Sequence, residues 1–121
     1  MGEMVTFASN GHDARGHLAI PASGSGPAVM VIQEWWGLNP QMKGVADFLA
    51  EQGFTALAPD LYHGELAGHD EMDKAGQLMT DLPAHRAARD MSGAVDFLAN
   101  HDASSGSRVG VIGFCMGGLL S

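Results

Sequence analysis

The sequence is poor in cysteine and in basic residues, and it has no long apolar run. A single cysteine, Cys115, cannot form an intramolecular disulfide. Six Lys and Arg against fourteen Asp and Glu give a net charge of −8, so we expect neither nucleic acid nor an anionic membrane surface as a partner. No apolar stretch approaches the roughly 20 residues that cross a bilayer, and the first residues do not resemble a signal peptide. We therefore expect a cytoplasmic protein.

What is present is typical of one α/β domain. The chain has 121 residues, 45% of them hydrophobic and 17% charged, so we expect residues 1–121 to belong to a single domain. Asn10-Gly11 predicts a tight hairpin turn, and Asn39 and Pro40 predict the start of a helix. The order β-β-β-α-β-α-α-β-α is typical of an α/β sheet. Strands are predicted at 5–9, 15–20, 28–32, 54–58 and 109–112, helices at 40–52, 71–79 and 84–100, and a loop at 103–107.

The stretch 113–117, with the sequence Gly-Phe-Cys-Met-Gly, carries the strongest chemical signal. It follows a β-branched run and precedes an apolar segment, which fits a nucleophile elbow with Cys115 as the exposed side chain. A helix that begins there would favour the thiolate, and the backbone N–H of Met116 could stabilise an oxyanion. The alternative for a lone cysteine is a buried structural residue.

Further candidate residues follow the two preceding strands. Glu34 comes directly after a fully apolar strand, where an unpaired carboxylate is costly, so we expect it to be partly buried and either hydrogen-bonded or functional. The alternative is a salt-bridged loop carboxylate. Of Trp35 and Trp36 we expect one in the core and one in a substrate pocket, because adjacent side chains after a strand alternate. Tyr62, after the fourth strand, is a further pocket candidate, since ligands of α/β sheets bind beyond the carboxyl ends of strands.

Three stretches together resemble the dienelactone hydrolases, which are cysteine-dependent members of the α/β-hydrolase superfamily. These stretches are Gln33-Glu34-Trp35-Trp36-Gly37-Leu38-Asn39, Asp60-Leu61-Tyr62 and Gly113-Phe114-Cys115-Met116-Gly117-Gly118. The resemblance implies an α/β-hydrolase fold, in which an antiparallel hairpin leads into a mostly parallel sheet flanked by helices. It implies cleavage of lactone or ester carbonyls, with Glu34 facing Cys115 and taking its proton. It also implies that the Trp35 N–H joins that of Met116 in the oxyanion hole.

The sequence departs from the resembled family in two ways. The family's domain runs to about 200–250 residues, and its acid and histidine follow the nucleophile, whereas this chain stops six residues after Cys115. We therefore expect an N-terminal portion, truncated after the elbow, that is inactive alone and self-associates through an exposed sheet edge. The family also holds a substrate carboxylate with arginines, but Lys74 is the only basic residue between Asp60 and Asp81. The substrate could be another lactone, an ester or a thioester.

Two alternatives to an enzyme remain at this point. A non-catalytic binding domain would use the aromatic pocket around Trp35, Trp36 and Tyr62, and a redox sensor would use the thiol of Cys115. His63 and His69 could suggest a metal loop, but a solvated loop is the simpler interpretation because the ligands do not lie on fixed elements. We expect no metal and no cofactor.

Overall fold

The computed structural model describes residues 2–114, which form five strands and three helices around one mixed sheet. The strand order is β1-β2-β4-β3-β5. Strand β2 pairs antiparallel with β1 and β4, whereas β3 pairs parallel with β4 and β5. The predicted hairpin that leads into a parallel sheet is therefore confirmed. The elements are β1 Glu3–Ser9, β2 His12–Ala19, β3 Gly26–Ile32, α1 Pro40–Glu51, β4 Thr55–Pro59, α2 Met72–Asp81, α3 Ala84–Ala99 and β5 Ser104–Gly113.

Local sequence signals explain where the first elements begin and end. Asn10 and Gly11 have φ angles of 49° and 89°, as a tight hairpin turn with two left-handed residues requires. The side chain of Asn39 accepts a hydrogen bond from the Met42 N–H at 3.0 Å and so caps α1, with Pro40 in the first helical position. Gly53 follows α1 with a φ of 99°, the conformation in which many helices end.

The hydrophobic core has two layers, one on each face of the sheet. On one face, α3 packs through Ala94 and Leu98 against Met30 and Leu57. On the other face, α1 packs with residues spaced four apart, such as Met42 and Ala46, against alternate residues of β3 and β4. Strands β3 and β4 are covered on both sides, which is why their sequences are almost continuously apolar. Among the described residues, no helix has the length and apolar character needed to cross a membrane.

Strand β5 differs from its prediction. It begins at Ser104, so the loop predicted at 103–107 is wrong beyond Ala103. The pairing of β5 with β3 is interrupted after Ser104 and resumes at Val109, and Gly106 within the interruption has a φ of 116°. The strand therefore contains an irregular bulge. Because the residues of this bulge are small and typical of a loop, the sequence predicted a loop there instead of a strand. The helix predicted from Met116 lies outside the described residues.

Candidate active site at the carboxyl end of the sheet

Strands β3, β4 and β5 are parallel, so their carboxyl ends meet at one edge of the sheet. Glu34 follows β3, and Asp60 and Tyr62 follow β4, as predicted from the sequence. Cys115 and Met116, the predicted nucleophile and oxyanion donor, lie outside the described residues, which end at Phe114. This edge is the one at which open α/β sheets bind their ligands.

The loop after β3 is a tight turn. The Gly37 N–H donates to the Glu34 carbonyl at 3.1 Å, and these two residues form an isolated β-bridge. Gly37 has a φ of 101°, and a Cβ there would lie 2.7 Å from the carbonyl oxygen of Glu65, so only glycine fits without rearrangement. The turn is therefore fixed against the loop that follows β4.

Glu34 is half-buried, as expected for a carboxylate at the end of an apolar strand. Within residues 2–114, no hydrogen bond or ion pair is found for the side chain of Glu34, and no acceptor is found for the backbone N–H of Trp35. Within this part of the chain, Glu34 is therefore not a salt-bridged loop carboxylate. Both groups are free to interact with a reacting molecule or with residues beyond the described range.

The expectation that one tryptophan lies in the core is wrong, and the expectation that the other lines a substrate pocket stays a prediction. Trp35 and Trp36 are both half-buried, and their rings meet edge to face with centroids 5.1 Å apart. Trp36 also meets the ring of His69 at 4.9 Å. The two residues occupy the turn between Glu34 and Gly37, so the alternation of side chains along an extended strand does not apply to them.

Tyr62 is buried beneath this turn. It is 4% exposed, and a Cβ at Gly37 would lie 3.3 Å from Cδ2 of its ring. Burial raises the pKa of the Tyr62 hydroxyl to about 12. With Leu78, Leu82 and Arg86 it lines a pocket of about 220 Å³. Most of the Tyr62 ring is enclosed, and the prediction that this residue contacts a substrate stays a prediction.

Asp60 occupies the first position after β4. Burial raises the pKa of its carboxyl, while hydrogen bonding from the Gly64 N–H, at 2.7 Å, opposes that shift. Oδ1 of Asp60 is buried, with no hydrogen-bond partner among the described residues. The loop after β4 therefore keeps a carboxylate in a partly desolvated position.

Sequence reasoning missed several polar side chains at this edge. Gln33 is fully buried, and its Oε1 accepts the Leu61 N–H at 2.9 Å. Arg86, from α3, donates through Nη2 to the Leu61 carbonyl at 3.2 Å. Arg86 lies outside the span from Asp60 to Asp81 in which the sequence offered only Lys74. Only the long-range packing of α3 brings it here, so no local signal could have found it.

A second cluster, also missed, surrounds Asp90 of α3. Its buried carboxylate accepts the Ser9 hydroxyl at 2.6 Å and contacts Nε2 of His63 at 2.5 Å. Ser9 ends β1, which is at the opposite edge of the sheet from β5. This histidine–carboxylate pair is therefore remote from the strand that leads to Cys115. No group of three His, Cys, Asp or Glu side chains within residues 2–114 is arranged to hold a metal ion.

Comparison with known proteins agrees with this geometry. Residues 14–121 match the model of the dienelactone hydrolase family. The chain belongs to this family. It is similar to Protein usf of Aquifex pyrophilus, with 46% identity over 100% of this chain and 54% of that relative. It is also similar to the carboxymethylenebutenolidase of Pseudomonas sp. strain P51, with 41% identity over 87% of this chain and 47% of the relative.

Among solved structures, the chain resembles the protein m3DLH, with a TM-score of 0.77 and 30% identity. The match covers 96% of this chain and 50% of that one. The mixed sheet with flanking helices is thus the α/β-hydrolase fold of the dienelactone hydrolases. The chain spans about half the length of the curated relatives that it matches.

Proposed function

We propose that this dienelactone hydrolase family chain carries the nucleophile of a hydrolase that cleaves lactone, ester or thioester carbonyls. Cys115 attacks the carbonyl carbon, and the N–H groups of Met116 and Trp35 stabilise the oxyanion that forms. Glu34 takes the thiol proton. Trp36 and Tyr62 line the substrate pocket. Residues 1–121 form part of one domain, and a nucleophilic thiol fits the reducing cytoplasm.

The register of β3 and β5 is the observation that carries this proposal. Ile32 is paired with Gly113, and these residues stand two positions before Glu34 and Cys115 respectively. Neighbouring strands lie about 4.8 Å apart, and Glu34 and Cys115 each follow one of two adjacent strand ends at the same edge of the sheet, which supports their proposed proximity. The unpaired state of the Glu34 side chain within residues 2–114 supports the same role.

The family's histidine and acid do not occur among the six residues that follow Cys115 in this sequence. The pair formed by His63 and Asp90 does not replace them, because it is bound to Ser9 at the far edge of the sheet. We therefore expect the 121-residue chain to be acylated without releasing the acyl group, since neither those six residues nor the His63–Asp90 pair supplies the base that activates water.

The substrate class follows from the charges near the site. Lys74 is exposed, and the guanidinium of Arg86 donates to the Leu61 carbonyl. The pocket that Arg86 lines also contains Glu65 and Asp81, which disfavour an anionic ligand. We therefore propose that the substrate carries no carboxylate group, because such a group would need an arginine to bind it.

We also propose that the chain self-associates through β5. This strand pairs with β3 on one side, and the described residues provide no strand on its other side. Val111, Ile112 and Phe114 are 43%, 38% and 38% exposed. An unpaired strand edge with apolar side chains is a template for pairing with another chain.

The reactivity of the single cysteine tests the proposed site. The rate at which iodoacetamide alkylates Cys115 is measured against pH, in native buffer and in denaturant. We expect a lower midpoint in native buffer than the ordinary thiol value of about 8.5, because the helix that the sequence predicts to begin at the nucleophile would favour the thiolate. Identical profiles in the two conditions would contradict an activated cysteine.

The same assay tests Glu34. A neighbouring carboxylate opposes the thiolate, so Glu34→Gln should lower the midpoint further, by about one pH unit. Glu65→Gln removes an exposed carboxylate from the neighbouring loop and is the matched control, for which we expect no shift. Equal effects of the two substitutions would show that Glu34 acts only through the general charge of the surface.

A further inference from the structure

Gln33 connects the ends of two strands through a buried carboxamide. It follows β3 directly, its side chain is completely buried, and its Oε1 accepts the Leu61 N–H at 2.9 Å. Because a backbone N–H can only donate, the oxygen of the carboxamide must face Leu61. The orientation of the side chain is thereby fixed, and Nε2 points away from Leu61.

The peptide groups of Leu61 are held from both sides. Gln33 binds the N–H, and Arg86 binds the carbonyl from α3 at 3.2 Å. The loop that carries Tyr62 is thus tied to the loop that carries Glu34 by side chains rather than by sheet pairing. Leu61 is itself fully buried, so this tie is shielded from water.

The amide nitrogen of the Gln33 carboxamide is in an energetically unfavourable position. Nε2 is buried and has no hydrogen-bond partner within residues 2–114. A buried donor without an acceptor destabilises a fold, but an apolar side chain of the same length would instead leave the buried Leu61 N–H without its acceptor. The glutamine is therefore needed for the tie to Leu61, which holds the end of β3 against the loop that carries Tyr62.

We propose that Gln33 is a positioning residue of the active site. Its locked side chain fixes the backbone immediately before Glu34, and so sets the direction of the Glu34 carboxylate and of the Trp35 N–H. This inference rests on the proposed function, in which those two groups face Cys115. Gln33 itself does not contact the reacting atoms.

The pH dependence of Cys115 alkylation tests this role in the full 121-residue chain. Gln33→Met keeps the length of the side chain but removes the acceptor, and Gln33→Asn keeps the carboxamide but is too short to reach Leu61. Both should misplace Glu34 and lower the alkylation midpoint by at least half of the shift that Glu34→Gln produces. If Gln33→Met does not fold, Gln33→Asn decides the outcome.

Thr55→Val is the matched control. Thr55 is also fully buried, and its hydroxyl donates to the Ala103 carbonyl at 2.6 Å, but it begins β4 at the other end of the sheet. It should destabilise the chain without moving the alkylation midpoint. A merely structural Gln33 would behave in the same way.

The possible results separate this inference from the proposed function. A shift in Glu34→Gln and in both Gln33 variants, with none in Thr55→Val, supports the positioning role. A shift in Glu34→Gln alone overturns it while leaving the proposed function intact. No shift in Glu34→Gln contradicts the proposed role of Glu34, and the positioning role falls with it.

Discussion

Replacing Asp90 by leucine should destabilise the chain by about 3–5 kcal/mol, since it removes a buried carboxylate that two donors share. The side chain of Asp90 is 1% exposed and binds the Ser9 hydroxyl at 2.6 Å and His63 at 2.5 Å. A hydrogen bond to a charged group contributes about 1.5–3 kcal/mol. The bond to His63 belongs at the low end of that range, because the His63 side chain is 35% exposed.

Urea unfolding, followed by tryptophan fluorescence at one protein concentration, measures this loss. Ser9→Ala removes one of the two bonds and should cost about half as much. Asp96→Leu lies on the exposed face of the same helix and should change stability by no more than about 0.5 kcal/mol. If Asp90→Leu and Asp96→Leu differ by less than about 1 kcal/mol, the Asp90 cluster does not stabilise the fold as its geometry implies.

Three further predictions concern Tyr62, Asp60 and β5. Tyr62 is the only tyrosine, so absorbance of the phenolate reports its titration alone. The midpoint should lie at about 12 in the folded chain and near the ordinary tyrosine value of 10.0 in urea. A midpoint near 10.0 in the folded chain would show that the ring is solvated. The stability from protonated Tyr62 should be lost as pH rises through about 12. Burial raises the pKa of Asp60 above 3.8, so its protonated form stabilises the fold at low pH, and that stability is lost as pH rises. The stability of Asp60→Asn relative to wild type should therefore increase from acid to neutral pH. A difference in stability that does not depend on pH would contradict this. Val111→Lys should lower the sedimentation coefficient toward the value of a monomer, whereas Met72→Lys, at an exposed position of α2, should not. Equal sedimentation coefficients for the two variants would exclude β5 as the contact.

Much of the fold could be predicted because its signals are local. The Asn10-Gly11 turn, the cap at Asn39 and the apolar runs of β3 and β4 each depend on a few adjacent residues, and the structure has each of them where the sequence placed it. The partial burial of Glu34 followed from its position after an apolar strand. These features are set by backbone conformation and burial, which short patterns report well.

What could not be predicted depends on contacts between distant residues or on irregular backbone. The bond between Ser9 and Asp90 joins residues 81 apart, and that between Gln33 and Leu61 joins residues 28 apart. One tryptophan was wrongly expected in the core because a turn replaces the extended chain that was assumed for this pair. No pattern of side-chain types specifies such contacts before the sheet order is known.

Acylation of Cys115 by an activated ester distinguishes a nucleophilic cysteine from a structural one. The chain is incubated with an activated p-nitrophenyl ester, and its intact mass and the released nitrophenol are followed together. We expect one acyl group per chain, located on Cys115 by peptide mapping and absent in Cys115→Ala, with one equivalent of nitrophenol released. An acyl group on any other residue, or many equivalents of nitrophenol released by the wild-type chain, would contradict this expectation.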